Sequence, residues 1–91
     1  MAIATRTVRV GSSSGLHARP AANFVQACKA SGCKVTVQKG EGKPANGSSM
    51  LGVMALGAHL GDEVLLTVDG ENAEAELEKI AAVVETNQDE A

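Results

Sequence analysis

Apolar residues alternate with polar ones in three segments of the chain. These segments are residues 5–10, 34–39 and 63–68, and in each of them valine or leucine returns at alternate positions. A period of two is typical of a strand that buries one face. A weaker fourth strand is predicted around residues 43–46, after a glycine-rich turn at residues 40–42.

Between the strands, apolar residues return at helical spacing. After Pro20, which suits the first turn of a helix, an apolar stripe follows a helix that is predicted to end near Gly32. A short helix is predicted over residues 48–56, and a last helix after a turn at residues 69–70. The stripe of the first helix consists of Ala21, Phe24, Val25 and Cys28, and that of the last helix of Ala73, Leu77, Ile80 and Val84.

The predicted order of elements is strand, helix, strand, strand, helix, strand, helix, or βαββαβα. Four half-buried strands and three one-faced helices fit an α+β domain of two layers, in which the helices cover one side of a mainly antiparallel sheet. A chain of 91 residues has room for one core, so we expect a single domain over residues 1–91, with a frayed acidic tail at residues 86–91.

Composition narrows the possible functional classes. Aromatic residues make up 1% of the chain, which leaves no surface for base stacking, and the net charge of -3 provides no basic field for nucleic acid. No apolar run is long enough to span a membrane, and the first ten residues lack the apolar core of a secretory signal. We therefore expect a cytosolic protein that neither binds nucleic acid nor inserts into a membrane.

The two cysteines, Cys28 and Cys33, are too few for a disulfide framework, and their spacing does not match common redox or zinc motifs. We interpret them as reduced thiols, with Cys28 in the core. A small metal-binding module that combines them with His17 and His59 is the alternative from another class. Because Cys28 shares a helix face with Phe24, far from the helix start, we expect no metal and no cofactor. His59 lies in a predicted loop bounded by two glycines, and we expect it to have only a surface role.

The candidate chemistry of the chain centres on His17. It follows the glycine- and serine-rich segment 11–15 and directly precedes the first predicted helix. Backbone N–H groups and the positive end of the helix dipole meet there, and Arg19 adds a guanidinium suited to phosphate oxygens. A neutral imidazole beside such an anion site favours phosphoryl transfer. The plainer alternative is that His17 and Arg19 are merely polar residues at a helix start.

Residues 15–20 (GLHARP) resemble the active-site signature of the HPr family, the phosphocarriers of the bacterial sugar phosphotransferase system. Residues 49–56 resemble the helix of that family that carries a regulatory serine, and the resemblance extends over nearly the whole chain. It implies an open-faced β-sandwich. It also implies that Enzyme I, charged by phosphoenolpyruvate, phosphorylates a histidine on Nδ1, which then passes the phosphoryl group to sugar-specific EIIA domains.

Carried over to this sequence, the resemblance assigns the phosphohistidine to His17 and the stabilisation of the phosphoryl group to Arg19. The backbone N–H groups of Ala18 and Arg19 would assist, and Ser14 matches a position near the site. The chain would then relay phosphate between partner proteins rather than act as a stand-alone enzyme, and we expect it to be a monomer.

The short helix has two apolar sides. Val53 and Leu56 point largely to one side, which is enough to anchor the helix. The other side is then a candidate exposed patch, and flexible methionine side chains suit a surface that accepts several partners. The alternative is a helix buried on both sides. The family resemblance favours docking of partner proteins on the exposed side, which carries Met50, Leu51 and Met54. We expect Ala18 and Pro20, next to His17, to contact partners as well.

Ser49 aligns with the serine that an ATP-dependent kinase phosphorylates in many relatives, where the added negative charge weakens the encounter with Enzyme I. The sequence departs from the family pattern just before it, because Gly47 and Ser48 leave two adjacent hydroxyl groups. Either hydroxyl can cap the helix instead. A regulatory role for Ser49, and a kinase to match, therefore stay open.

Two further functions compete with the sugar phosphocarrier. A carrier of a parallel, nitrogen-related phosphorelay would use His17 in the same way but with other partners. A pure interaction domain would keep the fold without accepting phosphate, although we would expect such a relative to have lost the histidine.

Overall fold

Four antiparallel strands form the sheet in this computed structural model, which describes residues 2–11 and 18–85. The order across the sheet is β1-β4-β2-β3, so β1 and β3 are the edge strands. The predictions for Ser14, His17 and the tail at residues 86–91 fall outside the described residues. The strands are β1 (Ala2–Arg9), β2 (Lys34–Lys39), β3 (Ala45–Asn46) and β4 (Glu63–Gly70).

The helices of the described part are α1 (Ala18–Ser31), α2 (Met50–Ala55) and α3 (Ala73–Glu85). The order βαββαβα and the antiparallel sheet confirm the predicted α+β fold. None of these helices, within the residues described, combines the length and the apolar character needed to span a membrane.

One face of the sheet contributes six of the 18 buried hydrophobic residues of the core, among the described residues. Val8 of β1 lies opposite Val64 of β4, Val35 of β2 lies opposite Val68, and all of these valines are buried. The predicted apolar stripes of α1 and α3 are buried in the same cluster, which includes Phe24. Burial of side chains of this size contributes about 1.5–3 kcal/mol each, so the contact between sheet and helices is the main source of stability.

Strand pairing makes two strands longer than the alternation of residues predicts. β1 begins at Ala2 and β4 continues to Gly70, because these two residues pair with each other at the end of the ladder. The prediction of a turn at residues 69–70 is therefore wrong, and the turn follows at residues 71–72. Apolar alternation fades at these ends, whereas backbone hydrogen bonding between neighbouring strands does not depend on it.

Other boundaries shift by one or two residues. β3 is limited to Ala45–Asn46, and α2 is shorter than the predicted span of 48–56. Helix α1 begins at Ala18, so Pro20 still lies in the first turn, where its missing N–H leaves no helical hydrogen bond unmade.

Candidate functional site

Helix α1 begins immediately after the candidate nucleophile. His17 lies outside the described residues, but Ala18 is the first residue of the helix and Arg19 is exposed in its first turn. The N–H groups of a first helical turn have no acceptor within the helix, and the helix dipole is positive at this end. The first turn carries no acidic residue that would neutralise this field. The end of α1 next to His17 is thus suited to bind an anion.

The chain that leads towards His17 is held in place at residues 10 and 11. The Val10 N–H donates to the Asp62 carbonyl oxygen with an N···O distance of 3.0 Å, and the Val10 carbonyl accepts from the Gly61 N–H at 2.9 Å. The Gly11 N–H donates to the Val84 carbonyl oxygen in the last turn of α3, also at 2.9 Å. Residues 10 and 11 are therefore fixed to two other segments of the chain.

The carboxylate of Asp62 organises the loop that provides one of these segments, residues 57–62. Its Oδ2 accepts from the His59 N–H at 2.9 Å and lies 3.2 Å from the Lys39 Nζ. Lys39 also donates to the Gly57 carbonyl oxygen at 3.0 Å. The hydrogen bond from the His59 N–H, followed by the interaction with Lys39, lowers the pKa of Asp62 from its ordinary value of 3.8. The carboxylate is thus ionised at neutral pH.

Helix α2 presents the predicted pair of surfaces. Val53 is fully buried, whereas Leu51 is 82% exposed, and Met50 and Met54 are exposed on the same side. The alternative of a helix buried on both sides is therefore wrong. Among the other residues predicted to contact partners, Pro20 is buried, which leaves little of its surface for a partner to touch. We accordingly define the α2 patch as Met50, Leu51 and Met54.

The two adjacent serines, Ser48 and Ser49, play different roles at the start of α2. The Ser49 Oγ accepts from the Gly52 N–H at 3.2 Å and is the N-cap of the helix. The Ser48 N–H instead binds the Asn46 side-chain oxygen at 2.9 Å. Between the two possible caps that the sequence leaves open, the structure selects the hydroxyl of Ser49.

The cysteines occupy separate environments. Cys28 is fully buried, and burial raises the pKa of its thiol to about 12. Cys33 is half-buried, and its Sγ lies 3.4 Å from the Glu71 carbonyl oxygen. Within residues 2–11 and 18–85, no three His, Cys, Asp or Glu side chains lie close enough together to hold a metal ion. His59, part of the alternative metal set, is 71% exposed.

Three comparisons agree on the family. The family model described as the phosphorylation site of the PTS HPr component matches residues 4–86. Phosphocarrier protein HPr of Streptomyces coelicolor is 51% identical over 82 residues, covering 90% of this chain and 88% of the relative. The HPr-like protein Crh of Bacillus subtilis is 42% identical over 78 residues, with coverages of 86% and 91%. The crystal structure of HPr from Bacillus anthracis superposes with a TM-score of 0.85 at 37% identity, covering 92% of this chain and 99% of that one.

The fold, the start of helix α1 and the three comparisons together define the class of this protein. It is a phosphocarrier of the phosphotransferase system. The chain belongs to the HPr family. This membership does not favour the nitrogen-related carrier or the metal-binding module as alternatives.

The sequence reasoning missed the contacts at Val10, Gly11 and Asp62. Gly11 is one of several glycines in polar segments, and nothing in its neighbours indicates that it touches the end of α3. The only available signal is the pair Gly57 and Gly61, which marks a loop but not what the loop binds.

Proposed function

We propose that this phosphocarrier accepts a phosphoryl group from Enzyme I on Nδ1 of His17 and transfers it to EIIA domains in the cytosol. The observation that carries the proposal is the position of His17, one residue before a helix whose first turn has an exposed Arg19 and no acidic residue. Family membership supports it.

In the proposed reaction the lone pair of the neutral imidazole attacks phosphorus. The new N–P bond forms while the bond between phosphorus and the donor breaks, and the electron pair of that bond leaves with the donor. Arg19 and the backbone N–H groups at the start of α1 stabilise the charge on the phosphoryl oxygens. Ser14 is a further candidate contact. In the second transfer the N–P bond breaks while an acceptor group on the next protein forms a new bond to phosphorus, and the imidazole regains its lone pair. Neither transfer requires a cofactor bound to this chain.

Partner proteins reach the site through the α2 patch. A monomer exposes this surface to Enzyme I and EIIA in turn, and exposed methionine and leucine side chains supply an apolar contact that both can use. We also propose Ser49 as a site for a serine kinase. Its position at the N-cap, directly before Met50, means that a phosphate there would add charge at the edge of the patch.

Phosphorylation with phosphoenolpyruvate and Enzyme I tests the acceptor. We expect wild type to incorporate one acid-labile phosphate per chain and His17→Ala to incorporate none. His59→Ala is the matched control, since it removes the only other histidine and should keep the stoichiometry of wild type. Label that persists in His17→Ala would contradict the proposal.

The docking surface is tested by the substitution Leu51→Ala. The concentration of carrier that half-saturates Enzyme I should rise about tenfold, a loss typical of an apolar side chain in the centre of an interface, with little change in the maximal rate. Ile3→Ala is the control, because Ile3 is 67% exposed on β1, away from α2. Equal effects of the two substitutions would contradict docking at α2.

A further inference from the structure

We propose that the ion pair of Lys39 and Asp62 positions the α2 patch for partner proteins, because it ties the end of α2 to the end of β2. The proposal rests on the proposed docking of Enzyme I on this patch. Neither side chain touches a partner in this account. Both are positioning residues that act through the backbone that follows α2.

Helix α2 is too short to be stable without contacts to the rest of the fold. It contains six residues, and a helix of this length gains too few internal hydrogen bonds to offset the cost of forming its first turn. Val53 buries one side of the helix in the core, and the Ser49 hydroxyl caps its beginning. The position of the far end therefore depends on the contacts of the residues that follow the helix.

An open cleft adjoins this end of α2. It has a volume of about 430 Å³ and lies between the helix and the turn that joins β2 to β3. The residues that line it are Gly52, Ala55 and Leu56 on the side of the helix, residues 42–45 on the side of the turn, and Lys39. A gap of this size removes van der Waals contacts that would otherwise restrain the helix, so packing on this side does not fix its end.

Lys39 supplies a polar connection where packing is missing. Its Nζ donates to the Gly57 carbonyl oxygen at 3.0 Å, and the Gly57 N–H donates to the carbonyl oxygen of Met54, a member of the α2 patch, at 3.3 Å. The Lys39 Nζ also lies 3.2 Å from the Oδ2 of Asp62, which accepts from the His59 N–H at 2.9 Å. Two consecutive hydrogen bonds thus link Met54 to β2, and the Asp62 carboxylate keeps the ammonium group in place to make them.

Loss of the ion pair would release the end of α2. Fewer molecules would then present Met54 and Leu51 as one surface, and the affinity for a partner falls in proportion to the fraction of molecules that are competent to bind. Transfer to His17 within the bound complex would keep its rate. The half-saturating concentration with Enzyme I therefore reports on this role, whereas the maximal rate does not.

Two variants with matched controls test the proposal. Lys39→Met keeps most of the length of the side chain but removes the ammonium group, and Asp62→Asn keeps an acceptor for the His59 N–H but removes the charge. Lys34→Met changes an exposed lysine at the start of the same strand. Glu63→Gln changes the neighbouring acidic side chain, which pairs with exposed Arg9.

The measurements are phosphorylation kinetics with Enzyme I and amide hydrogen exchange of Leu56 and Gly57, whose N–H groups donate to carbonyl oxygens of α2. We expect Lys39→Met and Asp62→Asn to raise the half-saturating concentration by about threefold at an unchanged maximal rate, and to speed the exchange of both amides. The two control variants should match wild type in all three quantities.

The opposite charges of the two residues separate positioning from electrostatic attraction. Lys39→Met makes the chain more negative and Asp62→Asn makes it less negative, so an effect of charge on the approach of Enzyme I would shift the half-saturating concentration in opposite directions. A positioning role shifts it upward in both variants. Opposite shifts would therefore overturn the proposal, and so would faster exchange with an unchanged half-saturating concentration.

Circular dichroism identifies a variant that fails to fold, and if Lys39→Met does so, Asp62→Asn and its control decide. Wild-type exchange rates in the folded variants would overturn the positioning role alone. Failure of wild type itself to accept phosphate on His17 from Enzyme I would instead overturn the proposed function, and the positioning role with it.

Discussion

Gly47 and Cys28 lie in direct contact in the core, the glycine after β3 and the cysteine on the buried face of α1. A Cβ atom on Gly47 would be 2.9 Å from the Cys28 Sγ and 3.1 Å from the Val35 Cγ1. The Gly47 N–H also donates to the Val35 carbonyl oxygen at 2.8 Å. A side chain at residue 47 would therefore crowd both the Cys28 thiol and the Val35 side chain, and glycine avoids this crowding.

This contact predicts that Gly47→Ala destabilises the fold by about 1–3 kcal/mol, the usual cost of overpacking a core. Cys28→Ala alone should cost about 1 kcal/mol through the cavity it leaves. The double variant should lose at least about 0.5 kcal/mol less free energy of unfolding than the two single variants lose in sum. The reason is that the methyl group added at residue 47 fills the space left by the Cys28 thiol. The measurement is urea unfolding of all four proteins.

Gly52→Ala is the control for this cycle. A Cβ at Gly52 meets its nearest neighbours at 3.4 Å or more, and alanine is the better helix former, so stability should stay the same or rise. Additive effects of Gly47→Ala and Cys28→Ala would contradict the contact.

The raised pKa of Cys28, about 12 because of burial, predicts slow modification of this thiol. At pH 8 a thiol reagent should label Cys33 in the folded protein and Cys28 only on unfolding, as read by peptide mass spectrometry. Because the folded-state pKa lies above the ordinary value of 9.0, the contribution of Cys28 to stability is complete below pH 9 and declines as the pH rises further. Equal labelling rates of the two cysteines in the native protein would argue against this.

The N-cap predicts different results for the two serines. Ser49→Ala should lower the free energy of unfolding by about 1 kcal/mol, whereas Ser48→Ala should change it by less. Ser49→Asp keeps a capping side chain but adds a charge next to Met50, so the fold should remain intact while the half-saturating concentration with Enzyme I rises. Comparable losses of stability in the two alanine variants would show that the cap lies elsewhere.

The lowered pKa of Asp62 predicts an acid-dependent contribution to stability. A carboxylate with a depressed folded-state pKa stabilises the fold fully above its unfolded pKa, near 3.8, and loses this effect as the pH falls through the folded value. The difference in thermal midpoint between wild type and Asp62→Asn should therefore be constant near neutral pH and shrink below pH 3.8. Glu63→Gln serves as the comparison, and a difference that grows towards low pH would contradict the assignment.

Local pattern predicts those parts of the fold that depend on local periodicity. The stripe through Phe24 and Cys28 and the alternation of Val64, Leu66 and Val68 identify the buried faces, and the structure confirms them. The ends of β1 and β4 cannot be predicted from this local pattern, because Ala2 and Gly70 become strand residues only by pairing with each other. The burial of Pro20 likewise depends on what packs over the start of α1.

The sequence by itself determined the element order, the family and the position of His17 before a helix with Arg19 in its first turn, since each is a matter of residue type and spacing along the chain. Only the tertiary structure decided that Gly11 rests on the last turn of α3, that the backbone of Asp62 binds Val10, and that Gly47 lies against the Cys28 thiol. The reason is that these contacts join residues far apart in sequence, and such proximity arises from the packing of sheet and helices rather than from any local pattern.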